Sequence, residues 1–100
     1  MARKQKTTRF DSAEHLNSAE AIDAYMEDAL ESNDPAFIAH ALGTIARAQG
    51  MSRVAKKARL SRESLYKALS PAGNPEFGTI IRVMRALGLK LSATSTHRQA

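Results

Sequence analysis

The stretch Met51–Ser70, MSRVAKKARLSRESLYKALS, decides the fold. Val54, Ala55 and Ala58 recur at helical spacing, and Leu65, Ala68 and Leu69 do so again a few residues later. Between the two sets Leu60 falls in a turn, and Ser61 is placed to cap the second helix. A helix-turn-helix needs a small residue where its helices cross, an apolar plug in the turn and an apolar residue midway along the second helix. Ala55, Leu60 and Leu65 supply these at matching intervals.

In that motif the second helix presents its first residues to base edges in the major groove of duplex DNA. Here those residues are Ser61, Arg62, Glu63, Tyr66 and Lys67. Arg62 suits guanine O6 and N7, Glu63 suits cytosine N4, and Tyr66 suits a thymine methyl or a phosphate. Ser52, Arg53, Lys56 and Lys57 lie on or beside the first helix. They suit phosphate contacts, which position a domain without reading sequence. Arg59 stands at a turn position that commonly takes Gly because its φ is positive. A side chain there costs about 1 kcal/mol, against which Arg59 can gain a phosphate contact.

Outward from this stretch the pattern stays helical. Upstream, Ile22, Tyr25, Met26, Ala29 and Leu30 form one apolar stripe, with Asn17 and Glu20 spaced as a capping box. Asp34 and Pro35 open a second helix carrying Phe37, Ile38, Ala41, Leu42, Ile45 and Ala46, and Gly50 ends it. His40 is placed at the edge of the core. Downstream, Ser70–Pro75 breaks the pattern. Asn74 is read as the cap of a further helix opened by Pro75, with Phe77, Ile80, Ile81, Met84 and Leu87 inward. The alternation Leu89, Leu91, Ala93 predicts a short strand able to pair with a second copy and form a homodimer.

The domain division that follows is a basic flexible arm over 1–10, a helical domain over 11–93 and a flexible tail over 94–100. The expected fold is all-α with five helices.

Charge divides along the chain. The net charge is +5, but residues 1–10 carry +4, residues 11–34 carry −8 and residues 35–100 carry +9. Glu20, Asp23, Glu27, Asp28 and Glu31 fall on the polar side of the first helix. They either pair with basic helices of the same fold or offer a surface to a basic partner. A chain of 100 residues without cysteine has no disulfide and no thiolate metal site, in keeping with a cytoplasmic protein. No apolar run is long enough for a membrane span, and no signal peptide is evident. His15, His40 and His97 are too scattered for a metal site, and no nucleophile–base pair or phosphate-cradling loop stands out. The chain is therefore read as a non-enzyme without cofactors.

The run LSRESLYKALSPAGNPEFGTIIRVMRALGLKL, Leu60–Leu91, resembles the prophage-type addiction-module antidote proteins. The upstream segment AEAIDAYMEDALESNDPAFIAHALGTIARAQGMS, Ala19–Ser52, is similar to that family's acidic helix, its Asp-Pro junction and its lead-in to the motif. The resemblance covers roughly residues 10–92, and the pairing of SRESLYKALS with GNPEF is its most specific part. It implies a lambda-repressor-like (Xre-type) helix-turn-helix domain. It also implies neutralisation of a small basic endoribonuclease toxin of the RelE type, and repression of the shared operon. On this reading Glu20, Asp23, Glu27, Asp28 and Glu31 meet the toxin. The rival readings are a free-standing prophage-type repressor and a protein-interaction module that has lost DNA binding.

Overall fold

A computed structural model describes residues 18–96. Five α-helices and no strand occur among the described residues: α1 Ala19–Glu31, α2 Pro35–Gln49, α3 Met51–Ala58, α4 Arg62–Ala68 and α5 Phe77–Ala86. The basic arm at 1–10, the Asn17 cap, His15, His97 and the tail beyond 96 lie outside the described residues.

Local chemistry sets the helix ends. The Ser18 hydroxyl accepts from the Ala21 amide at 3.1 Å and caps α1. After α1 the Ser32 hydroxyl donates to the Ala29 carbonyl at 2.6 Å, and Asn33 turns the chain with φ 55°. Asp34 then caps α2 by accepting from the Ala36 amide at 3.1 Å, with Pro35 in the first turn. That junction folds α1 back against α2.

The core is a single cluster to which all five helices contribute. Leu42, Ile45, Val54, Leu65 and Val83 are its largest fully buried side chains. α2 carries an unbroken buried run from Ala41 to Ala46, and α3 packs on α2, α4 and α5. Thr44 is the only buried polar residue among those described, and its hydroxyl donates to the His40 carbonyl at 3.1 Å. α5 packs chiefly on α3, which fixes the short α3–α4 pair against the rest of the fold.

Several expectations need correction. α5 begins later than Asn74–Pro75, with Glu76 as its N-terminal flanking residue. Its first bonds run from the Thr79 and Ile80 amides to the Glu76 carbonyl at 3.0 and 3.1 Å. Asn74 precedes a proline and is biased to extended backbone, and Gly73 is held under the end of α4. The later start leaves Phe77 69% exposed in the first turn, and Phe37 is 42% exposed in the first turn of α2. Both lie ahead of the point where their helix meets the core. His40 is exposed rather than at the core edge.

The expected strand over 89–93 does not form. A strand needs a ladder partner, and the described residues offer none. The segment instead leaves α5 through a turn in which the Leu89 amide bonds the Met84 carbonyl at 2.8 Å. Gly88 has φ 85°, and Leu89 packs partly buried on the core.

Candidate nucleic-acid interface

The α3–α4 connection is three residues, Arg59, Leu60 and Ser61. Arg59 takes the left-handed conformation, φ 61° and ψ 45°, the positive φ predicted for a position that usually carries glycine. Its amide bonds the Lys56 carbonyl at 3.1 Å, and the Leu60 amide bonds the Ala55 carbonyl at 2.9 Å. This pair of bonds is the Schellman ending of a helix. It turns Leu60 inward, where it packs on the core beside buried Ala55 and Leu65. The three intervals read from the sequence therefore correspond to three inward side chains of one core, Ala55 and Leu65 buried and Leu60 partly so. Gly88 ends α5 with the same bond pattern, from Gly88 to Arg85 and from Leu89 to Met84. One of these two like turns uses glycine and the other uses Arg59.

Ser61 caps α4, its hydroxyl accepting from the Ser64 amide at 2.9 Å. With Leu65 fully buried, the opposite side of α4 faces solvent. Ser61, Arg62, Glu63, Tyr66 and Lys67 are all exposed there. Glu63, Tyr66 and Lys67 line one open depression together with Ser64. The Arg62 guanidinium carbon sits 5.6 Å from the centre of the Tyr66 ring, and Arg62 Nη2 donates to the Tyr66 hydroxyl at 3.5 Å. A guanidinium over an aromatic face gains cation–π attraction. Its stem is thereby held along the surface of α4 rather than left free. On α3, Ser52, Arg53, Lys56 and Lys57 are exposed while Met51, Val54, Ala55 and Ala58 are buried. The sequence-derived residues on α3 and α4 are thus all solvent-exposed, each set opposite the buried side of its own helix.

The acidic residues Glu20, Asp23, Glu27, Asp28 and Glu31 are exposed along α1. No carboxylate among the described residues forms an ion pair with a Lys or Arg. Pairing between the acidic helix and the basic helices of the described fold is therefore absent, and the charge division in the sequence persists on the surface. Asp23, Glu27 and Glu31 line a groove of about 540 Å³ together with the apolar Met26, Leu30, Met84 and Leu89 and with Lys90. Glu20 and Asp28 do not line this groove. Thr94 and Thr96, assigned from sequence to a loose tail, help to close it.

Sequence reasoning passed over Arg82 and Arg85. The Arg82 Nε donates to the Ala58 carbonyl at 3.1 Å, at the end of α3. Arg82, Arg85, Lys57 and Arg59 line one cleft of about 600 Å³ together with Ala58 and Ala86. Their spacing on α5 marks a polar side but gives no hint of what lies opposite.

No described helix is long and apolar enough to cross a membrane. The described residues hold no group of His, Cys, Asp or Glu able to hold a metal ion.

Comparison with known proteins bears on the partner. No solved structure matches the chain. A Haemophilus influenzae protein, itself described only as uncharacterized, is 52% identical over 81 residues, spanning 81% of this chain and 84% of its own length. The family described as "Probable addiction module antidote protein" matches residues 6–95. An antidote role implies a toxin partner of some kind, and a match over nearly the whole chain places this protein in the addiction module antidote family.

Proposed function

We propose that the protein is the antitoxin of a toxin–antitoxin pair and that it also represses its own operon by binding duplex DNA through α3 and α4. The observation that carries the DNA reading is the two-sided character of that helix pair. Ala55, Leu60 and Leu65 face the core while Arg53, Lys56, Arg62, Tyr66 and Lys67 face solvent. α4 is the element that enters the major groove in this reading, with Arg62 on a guanine edge. Ser52, Arg53, Lys56 and Lys57 hold the flanking phosphates. Operators of such readers are palindromic, so the DNA-bound species is a homodimer.

The toxin in this reading is a small basic endoribonuclease of the RelE type. The unpaired carboxylates of α1 meet its basic surface and compete with the RNA it would otherwise engage. The protein does no covalent chemistry, needs no cofactor, and acts in the cytoplasm by occupying surfaces.

The deciding measurement is the affinity of the purified protein for a duplex from its own promoter at two salt concentrations. Binding that weakens steeply with salt supports the reading. No binding, or binding indifferent to salt, overturns it.

A further inference from the structure

We infer that the cleft between the end of α3 and the polar side of α5 binds phosphate, and that through Arg82 and Arg85 it extends the nucleic-acid interface from the α3–α4 pair onto α5. This inference rests on the DNA-binding reading above. Lys57, Arg59, Arg82 and Arg85 converge on the cleft, and its remaining lining is Ala58 and Ala86. No carboxylate lines it, although charged residues of the described fold include eight acids.

The arrangement exceeds what the fold requires. The end of a helix carries about half a negative charge. Arg82 answers it by donating to the Ala58 carbonyl at 3.1 Å. That bond also fixes the Arg82 guanidinium at the cleft floor. Lys57, Arg59 and Arg85 remain as cations with no anionic partner among the described residues. Three of the four cations are arginines, whose planar fork matches phosphate oxygens.

Arg59 is the second, independent pointer. It occupies a strained left-handed position, while Gly88 fills the corresponding place in the like-bonded turn after α5. Strain retained at one residue points to a use for its side chain. Arg59 is also only three residues before Arg62, so their Cα atoms are at most about 11 Å apart. A duplex that admits the start of α4 to its groove brings backbone phosphates within reach of the cleft mouth. The ligand is thus the phosphodiester backbone, and the site adds affinity without reading sequence.

The test compares the full chain with Arg59→Gly, Arg85→Gln, the double variant and a Lys90→Gln control. Lys90 is exposed and does not line the cleft. Affinity is measured against the promoter duplex and a mixed-sequence duplex over a range of salt. Each lost phosphate contact lowers the slope of log affinity against log salt by about 0.9. The double variant therefore loses roughly 12-fold of the fall in affinity between 50 and 200 mM salt. It does so equally on both duplexes, and Lys90→Gln leaves the slope unchanged. Arg59→Gly relieves backbone strain, so its melting temperature rises even as DNA affinity falls, which a merely structural role would not produce.

If the parent protein binds duplex and the variants keep its slope, this inference fails while the DNA-binding reading stands. If the parent binds no duplex, both fail. Binding of inorganic phosphate by the parent that Arg59→Gly and Arg85→Gln abolish, with no change of duplex slope in the variants, assigns the cleft to a small anion and overturns the backbone assignment.

Discussion

Replacing Gly73 by Ala tests how tightly the loop after α4 is fitted. Gly73 lies under the end of the helix, its amide bonded to the Ser70 carbonyl at 2.9 Å. A Cβ built there would overlap the Lys67 carbonyl oxygen outright and stand 3.0 Å from that of Ala68 and 3.2 Å from that of Ser70. All three obstacles are backbone atoms, so no side-chain rotation relieves the clash. The loop must move off α4, or the last turn of α4 must open. Overpacking of this kind costs about 1–3 kcal/mol. Reduced freedom of the unfolded chain returns about 0.4–1 kcal/mol. At the middle of both ranges the net destabilisation is about 1.3 kcal/mol, or a melting temperature lower by roughly 5–10 °C for a domain of this size. Gly78→Ala is the internal control, because a Cβ at Gly78 on α5 meets nothing within 4 Å. It removes a glycine from a helix and stabilises by up to about 1 kcal/mol. Thermal unfolding followed by far-ultraviolet circular dichroism compares the two variants with the parent. A Gly73→Ala protein that melts at or above the parent temperature would refute the reasoning.

Other variants probe the remaining links. Leu65 is fully buried at the middle of α4, so Leu65→Ala costs about 2–5 kcal/mol in denaturant unfolding; a loss below 1 kcal/mol would place Leu65 outside the core. Arg62→Ala weakens operator binding by about 1–3 kcal/mol and relaxes the preference at one base pair. Tyr66→Ala, by releasing the stacked guanidinium, relaxes the same base pair in a binding-site selection, and a change spread evenly over all positions would deny Tyr66 that positioning role. Reversal of Glu27, Asp28 and Glu31 to Lys impairs toxin neutralisation in a growth-rescue assay while leaving the melting profile intact; full rescue would remove α1 from the toxin contact.

The legible parts of the fold were those set by short-range rules. The Asp34–Pro35 junction, the Ser61 cap and the intervals Ala55, Leu60 and Leu65 each depend on neighbours within one or two turns, so sequence spacing is enough to find them. Arg59 belongs here too, since its positive φ is a property of the turn itself. The failures depend on distant groups. Leu89, Leu91 and Ala93 alternate as a strand does, yet alternation alone supplies no ladder partner, and the described fold holds none beside them. Phe77 has the character and the phase of a core residue, but it lies 69% exposed because the extended loop delays the start of α5. Gly73 looked like one more turn residue, and its close approach to three carbonyls follows from how the loop returns under α4. Arg82 and Arg85 drew no assignment, because nothing in their spacing reveals that α3 ends opposite them.

The charge division sharpens what the fold is for. Had the acidic helix and the basic helices paired, their opposite signs would have been consumed in holding the molecule together. Among the described residues no such pair forms, and buried apolar side chains from all five helices supply the cohesion instead. Exposed charges contribute little to stability, but they steer association and select partners by sign. A chain with five of its eight described carboxylates on α1 and most of its described cations on or beside α3, α4 and α5 therefore keeps an acidic and a basic surface available. In the proposed function a basic toxin and a polyanionic duplex can occupy the same molecule at once, and each is repelled from the other's site. Simultaneous occupancy is the consequence that distinguishes this arrangement from one shared surface. On a shared surface, toxin would displace DNA in direct competition; the proposed arrangement predicts instead a ternary complex that migrates as one species with the duplex.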